Sequence, residues 1–117
     1  MITLYGIPNC ATVKKARSWL DEHQQAYTFV NFKTDPPDEK LLQQWLDEAG
    51  ADVLLNRKGT TWRKLSDEEK VAANTLSGAI ALMQAHPSVI KRPVLVSQNR
   101  VSVGFQAEHY QSLFAFR

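Results

Sequence analysis

Cysteine occurs once in these 117 residues, as Cys10 in the stretch GIPNCATVKKA, residues 6–16. A lone cysteine is often no more than a small buried hydrophobe. Three local features argue for more here. Cys10 falls where a strand reads as ending and a helix as beginning, and the free N–H groups and dipole of a helix N-terminus favour an anion. The Gly6/Pro8 turn and Asn9 make that junction tight. Lys14 and Lys15 follow in the first turns of the helix, where cations oppose the dipole but add positive charge, although at least one of them reads as a plain solvated residue. Such surroundings lower a thiol pKa from about 8.5 into a range of roughly 3.5–7.5, leaving a thiolate at neutral pH.

Spacing narrows the chemistry. A dithiol oxidoreductase carries Cys-x-x-Cys, and the second position here is Val13. An oxidised or substrate-bonded Cys10 therefore needs an outside thiol to release it by thiol–disulfide exchange. In a bacterial-type cytosol the abundant choices are glutathione and small redoxins. Arg57, after LLN, and Arg92, before Pro93, carry the planar donor fork suited to carboxylates and oxyanions. Each alone reads as a surface ion-pair residue, and spacing does not show whether they meet Cys10. His23, His86 and His109 lack metal-ligand spacing, so no metal site is expected. No Ser-His-Asp grouping and no glycine-rich phosphate loop is visible.

The elements that must position these residues follow from periodicity. ITLY (2–5) has strand character and is broken by Gly6 and Pro8. Val13, Ala16 and Leu20 recur at helical spacing within 11–23, and YTFVNF (27–32) is a second strand, which makes a βαβ unit with parallel strands. DPPDE (35–39) opens a helix that Gly50 closes. LLNRKGTTW (54–62) reads as a loop with turn chemistry at Asn56 and Gly59. Ser66 followed by Asp67, Glu68 and Glu69 is a capping-box start. Thr75–Ala85 is a further helix with Leu76, Ala79, Ile80, Leu82 and Met83 as its apolar positions, stopped by His86-Pro87. PVLV (93–96) and RVSVGF (100–105) flank an SQN turn as a hairpin, and 108–114 can form a closing helix. A βαβ half followed by a ββα half is the α/β, thioredoxin-like topology, with the middle helices as an insertion.

Bulk composition agrees. A length of 117 residues suits one compact domain, and 44% hydrophobic residues is ample for a core. No apolar run approaches the roughly 20 residues that span a bilayer, so no membrane association is expected. MITLYGIPNC lacks the charged and apolar regions of a secretory signal. A cytoplasmic protein is therefore expected, and a single cysteine fits that compartment. The net charge of +2 is spread along the chain without a basic run, which does not suggest nucleic-acid binding.

Three segments in order, LYGIPNC, LLNRKGTTWRKL and KRPVLV, resemble the arsenate reductase (ArsC)/Spx family over almost the whole chain. The middle string is similar to the YffB branch, assigned glutathione-dependent thiol reductase chemistry by description alone. The resemblance implies one thioredoxin-like domain over 1–117 with a helical insertion at about 38–86. It implies Cys10 as the nucleophile, with Asn9, Arg57, Arg92 and Pro93 forming an anion- or glutathione-binding set. Pro93 corresponds to a late proline that is typically cis and faces the cysteine. No bound cofactor is implied; glutathione, or a small redoxin, is the implied partner, and the substrate is a small-molecule or protein disulfide. Arsenate reductases carry a further arginine beyond the late proline. Here Gly104 stands at that position and offers only a backbone N–H, while Arg100 lies close but out of register. Arsenate is therefore not the expected physiological substrate. Spx regulators share the fold and bind RNA polymerase, typically with a Cys-x-x-Cys switch that Val13 removes. A glutathione-dependent monothiol reductase is the reading implied. A Spx-like redox-sensing adaptor with a protein partner, or a weak arsenate reductase, stays open beside it.

Overall fold

The alternation in ITLYG buries every second residue and makes β1 (Ile2–Gly6). In the computed structural model, which describes residues 2–98 and 100–114, it is followed by α1 (Ala11–Glu22), β2 (Thr28–Asn31), α2 (Glu39–Ala49), α3 (Ala51–Leu54), α4 (Thr60–Arg63), α5 (Asp67–Ala72), α6 (Leu76–Ala85), a 3-10 turn (Pro87–Val89), β3 (Val94–Ser97), β4 (Arg100–Val103) and α7 (Ala107–Leu113). These elements group into two units. The residues up to Asn31 join those from Arg92 onward, and Phe32–Lys91 form the second.

The first unit is a four-stranded sheet in the order β2-β1-β3-β4. β1 and β2 are parallel, from Thr3 opposite Thr28 to Gly6 opposite Asn31, which requires the α1 crossover between them. β3 runs antiparallel to β1, with Ile2 opposite Ser97 and Tyr5 opposite Val94, and β4 runs antiparallel to β3. This is the thioredoxin-like α/β arrangement. Its core gathers Ile2, Leu4, Ala16, Trp19, Leu20, Leu95, Tyr110 and Phe114. The Trp19 and Phe105 rings meet Tyr110 edge-on, with centroids 5.5 and 4.8 Å away.

Two local expectations change. Gly6 does not break β1 but ends it in register with Asn31. Its role is close approach: a Cβ at Gly6 would lie 2.8 Å from Val13 Cγ2, so only glycine lets α1 pack this tightly on the strand end. The hairpin loop is also shorter than SQN. Ser97 pairs with Arg100 inside the ladder, and Gln98 follows it with a positive φ of 52. Asn99 of that expected turn lies outside the described residues.

The second unit is helical. Asp38 caps α2 by accepting from the Leu41 N–H at 2.8 Å, and Leu42, Trp45 and Leu46 form its buried stripe. Asp35, Pro36 and Pro37 therefore precede the cap instead of opening the helix. Gly50 ends α2 at φ 84, a left-handed conformation that glycine adopts without penalty. Ser66 and Glu69 complete a reciprocal capping box on α5, at 3.2 and 3.0 Å. Thr75 caps α6, where Ala79, Ile80, Leu82 and Met83 are buried, whereas Leu76, expected on that apolar face, is exposed. The segment 54–62 is less of a loop than expected, because it is flanked by the short helices α3 and α4. Helices of four residues are too short for periodicity to reveal them. The turn between them is tied down by Asn56 N–H donating to Val89 O at 2.7 Å and Lys91 N–H donating to Leu54 O at 2.8 Å.

Candidate active site

Cys10 is the N-cap residue of α1, with extended backbone (φ −93, ψ 128) and a partly exposed thiol. Its carbonyl accepts the first helical bond from Lys14 N–H at 3.0 Å, and its own N–H donates across the Pro8–Asn9 turn to Ile7 O at 3.4 Å. The thiol therefore sits over the free donors of a 12-residue helix. Its side chain makes no strict capping bond, but the N–H groups of Val13 and Thr12 act on the sulfur as helix-terminal donors act on any anion.

Burial by itself pushes the Cys10 thiol up. That push is outweighed by the Val13 N–H, by a hydrogen bond from the Arg92 guanidinium, by the Thr12 N–H and by the positive charge of Arg92, so the thiol is held below its ordinary value. The cation that acts on the sulfur is Arg92, while Lys14 and Lys15, offered by the sequence for that role, are exposed on the outer face of α1. What lowers the thiol is thus one arginine and two backbone amides.

Arg92 reaches Cys10 because the chain re-enters the sheet immediately beside it. The Arg92–Pro93 peptide is cis, the isomer the resemblance implies, and Pro93 is buried at the head of β3. Asn9 is exposed in the turn that precedes the cysteine. Cys10, Asn9, Arg92 and Pro93 thus belong to the same unit. Arg57 belongs to the other unit. There its Nη1 donates to Asp52 Oδ1 at 2.7 Å, and its guanidinium lies 5.5 Å from the centre of the Trp62 ring.

Gly104 differs from the expectation in a way that matters. Its N–H is donated to Pro93 O at 2.8 Å, so it is not available to an incoming anion. Its φ of 81 is one that other residues rarely adopt. Arg100 stands at the opposite end of β4, opposite Ser97.

The histidines serve local structure. His23 stacks on Trp19 at 3.8 Å, and His86 lies 3.4 Å from Glu69. His109 Nε2 is 3.0 Å from Ser102 Oγ, a pairing that the seven-residue spacing across a strand and a helix start does not reveal. The helix N-terminus expected at Cys10 supplies the donors on the sulfur, the N–H groups of Val13 and Thr12.

Comparison with known proteins bears on this arrangement. The sequence model of the ArsC family matches residues 5–113. The fold is similar to that of a YffB protein, with TM-score 0.89 and 47% identity over 96% of this chain and 97% of that one. It is also similar to an arsenate reductase (ArsC) related protein from Brucella melitensis, with TM-score 0.74 and 42% identity over 97% and 93% of the two chains. The global transcriptional regulator Spx of Streptococcus pneumoniae is 30% identical over 115 residues, covering 96% of this chain and 84% of Spx.

Proposed function

The chain belongs to the ArsC family, and on that premise we propose that it is a glutathione-dependent monothiol reductase with Cys10 as nucleophile. The observation that carries this reading is the Cys10 thiol over the start of α1, held toward the thiolate by Arg92 and two backbone N–H groups. A thiolate is the attacking species in disulfide exchange. It attacks one sulfur of a disulfide, the other sulfur leaves as a thiolate, and Cys10 is left in a mixed disulfide. With one cysteine in the chain, release needs an external thiol. One glutathione thiolate displaces the substrate thiol and leaves Cys10 bonded to glutathione. A second attacks the glutathione sulfur, forms oxidised glutathione and returns Cys10 as the thiolate. Two glutathiones supply the two electrons that reduce one disulfide.

Arg92 has a second task in this scheme. When the sulfur becomes a leaving group, the same guanidinium stabilises its returning charge. Arg57 is proposed as an anion-binding residue of its own unit, exchanging the exposed Asp52 carboxylate for an anionic group of glutathione. Exposed ion pairs of this kind are worth about 0–1 kcal/mol, so the exchange is inexpensive. The test is turnover of a small disulfide by reduced glutathione. The native chain should accelerate it, and Cys10→Ser should return it to the uncatalysed rate. Equal rates with both proteins would reject the enzyme.

A second reading rests on the likeness to Spx, a transcriptional regulator. In it the chain is an adaptor for a protein partner, and Cys10 only senses oxidants. That reading expects partner binding to survive Cys10→Ser and no glutathione turnover at all.

A further inference from the structure

A cavity of about 570 Å³ opens between the β3–β4 hairpin and α7. Arg100, Ser97, Ser102, Ser112 and His109 supply its polar wall, and Leu95 and Leu113 its apolar one. All of these residues lie in the first unit. Ser97 is paired with Ile2, at the start of β1, while Cys10 follows the other end of that strand. Four residue steps separate the two ends of β1, about 13 Å at the usual strand rise. The cavity is therefore distinct from the Cys10 site.

Its chemistry is one-sided. Ser102 is the buried polar residue of the described chain, and its Oγ lies 3.0 Å from His109 Nε2. That spacing also suits a nucleophile and its base, but among the described residues no Asp or Glu lines the cavity to orient the imidazole as the third member of a hydrolytic triad would. What the described residues of the wall offer is a guanidinium fork, serine hydroxyls and an imidazole, and none of them carries a carboxylate to repel an anion. Arg100 makes no ion pair among the described residues. A fork beside several hydroxyls suits a group with three acceptor oxygens better than a carboxylate with two. The volume falls within the roughly 300–1,000 Å³ of small-molecule sites, and the leucines give an organic group an apolar wall.

We infer that this cavity binds a small organic phosphate monoester, its phosphoryl group on Arg100 and the serine hydroxyls and its carbon skeleton against Leu95 and Leu113. The experiment follows backbone amide shifts of the full chain by NMR at fixed ionic strength, titrating phenyl phosphate, benzoate and inorganic phosphate in separate series. Phenyl phosphate should shift Ser97, Arg100, Ser102 and Ser112 saturably, and the other two probes should bind about tenfold more weakly or less. Arg100→Gln, on an exposed position of the edge strand, should weaken phenyl phosphate by about tenfold. Ser112→Ala, on the exposed face of α7, gives a second reading and should weaken it several-fold. Cys10→Ser should bind as the native chain does. Shifts that centre on Cys10 and Arg92, a titration that does not saturate, or affinity unchanged in both Arg100→Gln and Ser112→Ala would overturn the assignment. Inorganic phosphate or benzoate binding as tightly as phenyl phosphate would overturn the monoester.

Discussion

Arg92 decides the state of Cys10 more than any other side chain, because it acts on the sulfur both through a hydrogen bond and through its charge. The rate of iodoacetamide labelling against pH should have its midpoint below about 8.5, the value of a free thiol. Arg92→Gln removes both contributions and should raise that midpoint; an unmoved midpoint would show that Arg92 only packs there. The sign for stability follows from the same shift. A thiol whose folded pKa is depressed stabilises the fold fully above the unfolded value near 8.5 and loses that contribution as pH falls through the folded value. The gap in stability between the native chain and Cys10→Ser should therefore widen with rising pH across that window. Arg92→Lys keeps a charge but loses the planar fork, and should lower glutathione-linked turnover while leaving urea stability nearly unchanged. Turnover equal to that of the native chain would make the fork dispensable. Of these residues, Cys10 at a strand-to-helix junction was legible in the sequence itself, whereas Arg92 stood out there only through the family resemblance. The sequence pointed to the wrong cations, because Lys14 and Lys15 are near Cys10 in the chain but solvated on the helix surface, whereas Arg92 is brought to it only by the return of β3 to the sheet.

At the scale of elements, α1 is the part that aims the thiol, and Gly6 sets how closely α1 seats on β1. Gly6→Ala places a methyl 2.8 Å from Val13 Cγ2. Overpacking of this kind costs about 1–3 kcal/mol, which should appear as a lower urea midpoint together with a shifted Cys10 labelling profile. Native behaviour on both counts would show that α1 yields freely. Ser66→Ala is the contrast. It removes half of the capping box on α5 and should cost about 0.5–2 kcal/mol with the labelling profile unmoved. The capping box was readable because its residues lie three apart and its donors are local. Gly6 was misread as a strand breaker because its reason is a contact with Val13 across a turn. The helices α3 and α4 were unreadable because four residues are too few to show a period, and the end of α3 is tied to distant chain by Lys91 N–H donating to Leu54 O.

For the whole molecule, the order βαβ then ββα was legible because strand and helix periods differ and the hairpin turn is short. The cavity beside α7 was not, since it is assembled from β3, β4 and α7. Arsenate chemistry is a question at this scale, since it needs donors converging on a polyanion from several segments. The resemblance sets Gly104 at the position of the arsenate reductases' further arginine, and the Gly104 N–H is already given to Pro93 O. Losing one positioned oxyanion donor costs roughly 10²–10³ in rate in other enzymes, so arsenate reduction should be weak or absent in a preparation that exchanges disulfides. Gly104→Arg should not restore it cleanly, because φ 81 strains any side chain there. Efficient arsenate turnover by the native chain would contradict this.

The most direct measurement is intact-mass spectrometry of the native chain after brief exposure to oxidised glutathione at neutral pH. A single glutathione adduct should form, map to Cys10, disappear with reduced glutathione, and form more slowly in Arg92→Gln. A chain that stays unmodified under conditions that label a free small-molecule thiol, or an adduct that reduced glutathione does not remove, would contradict Cys10 as the nucleophile of a glutathione-dependent reductase.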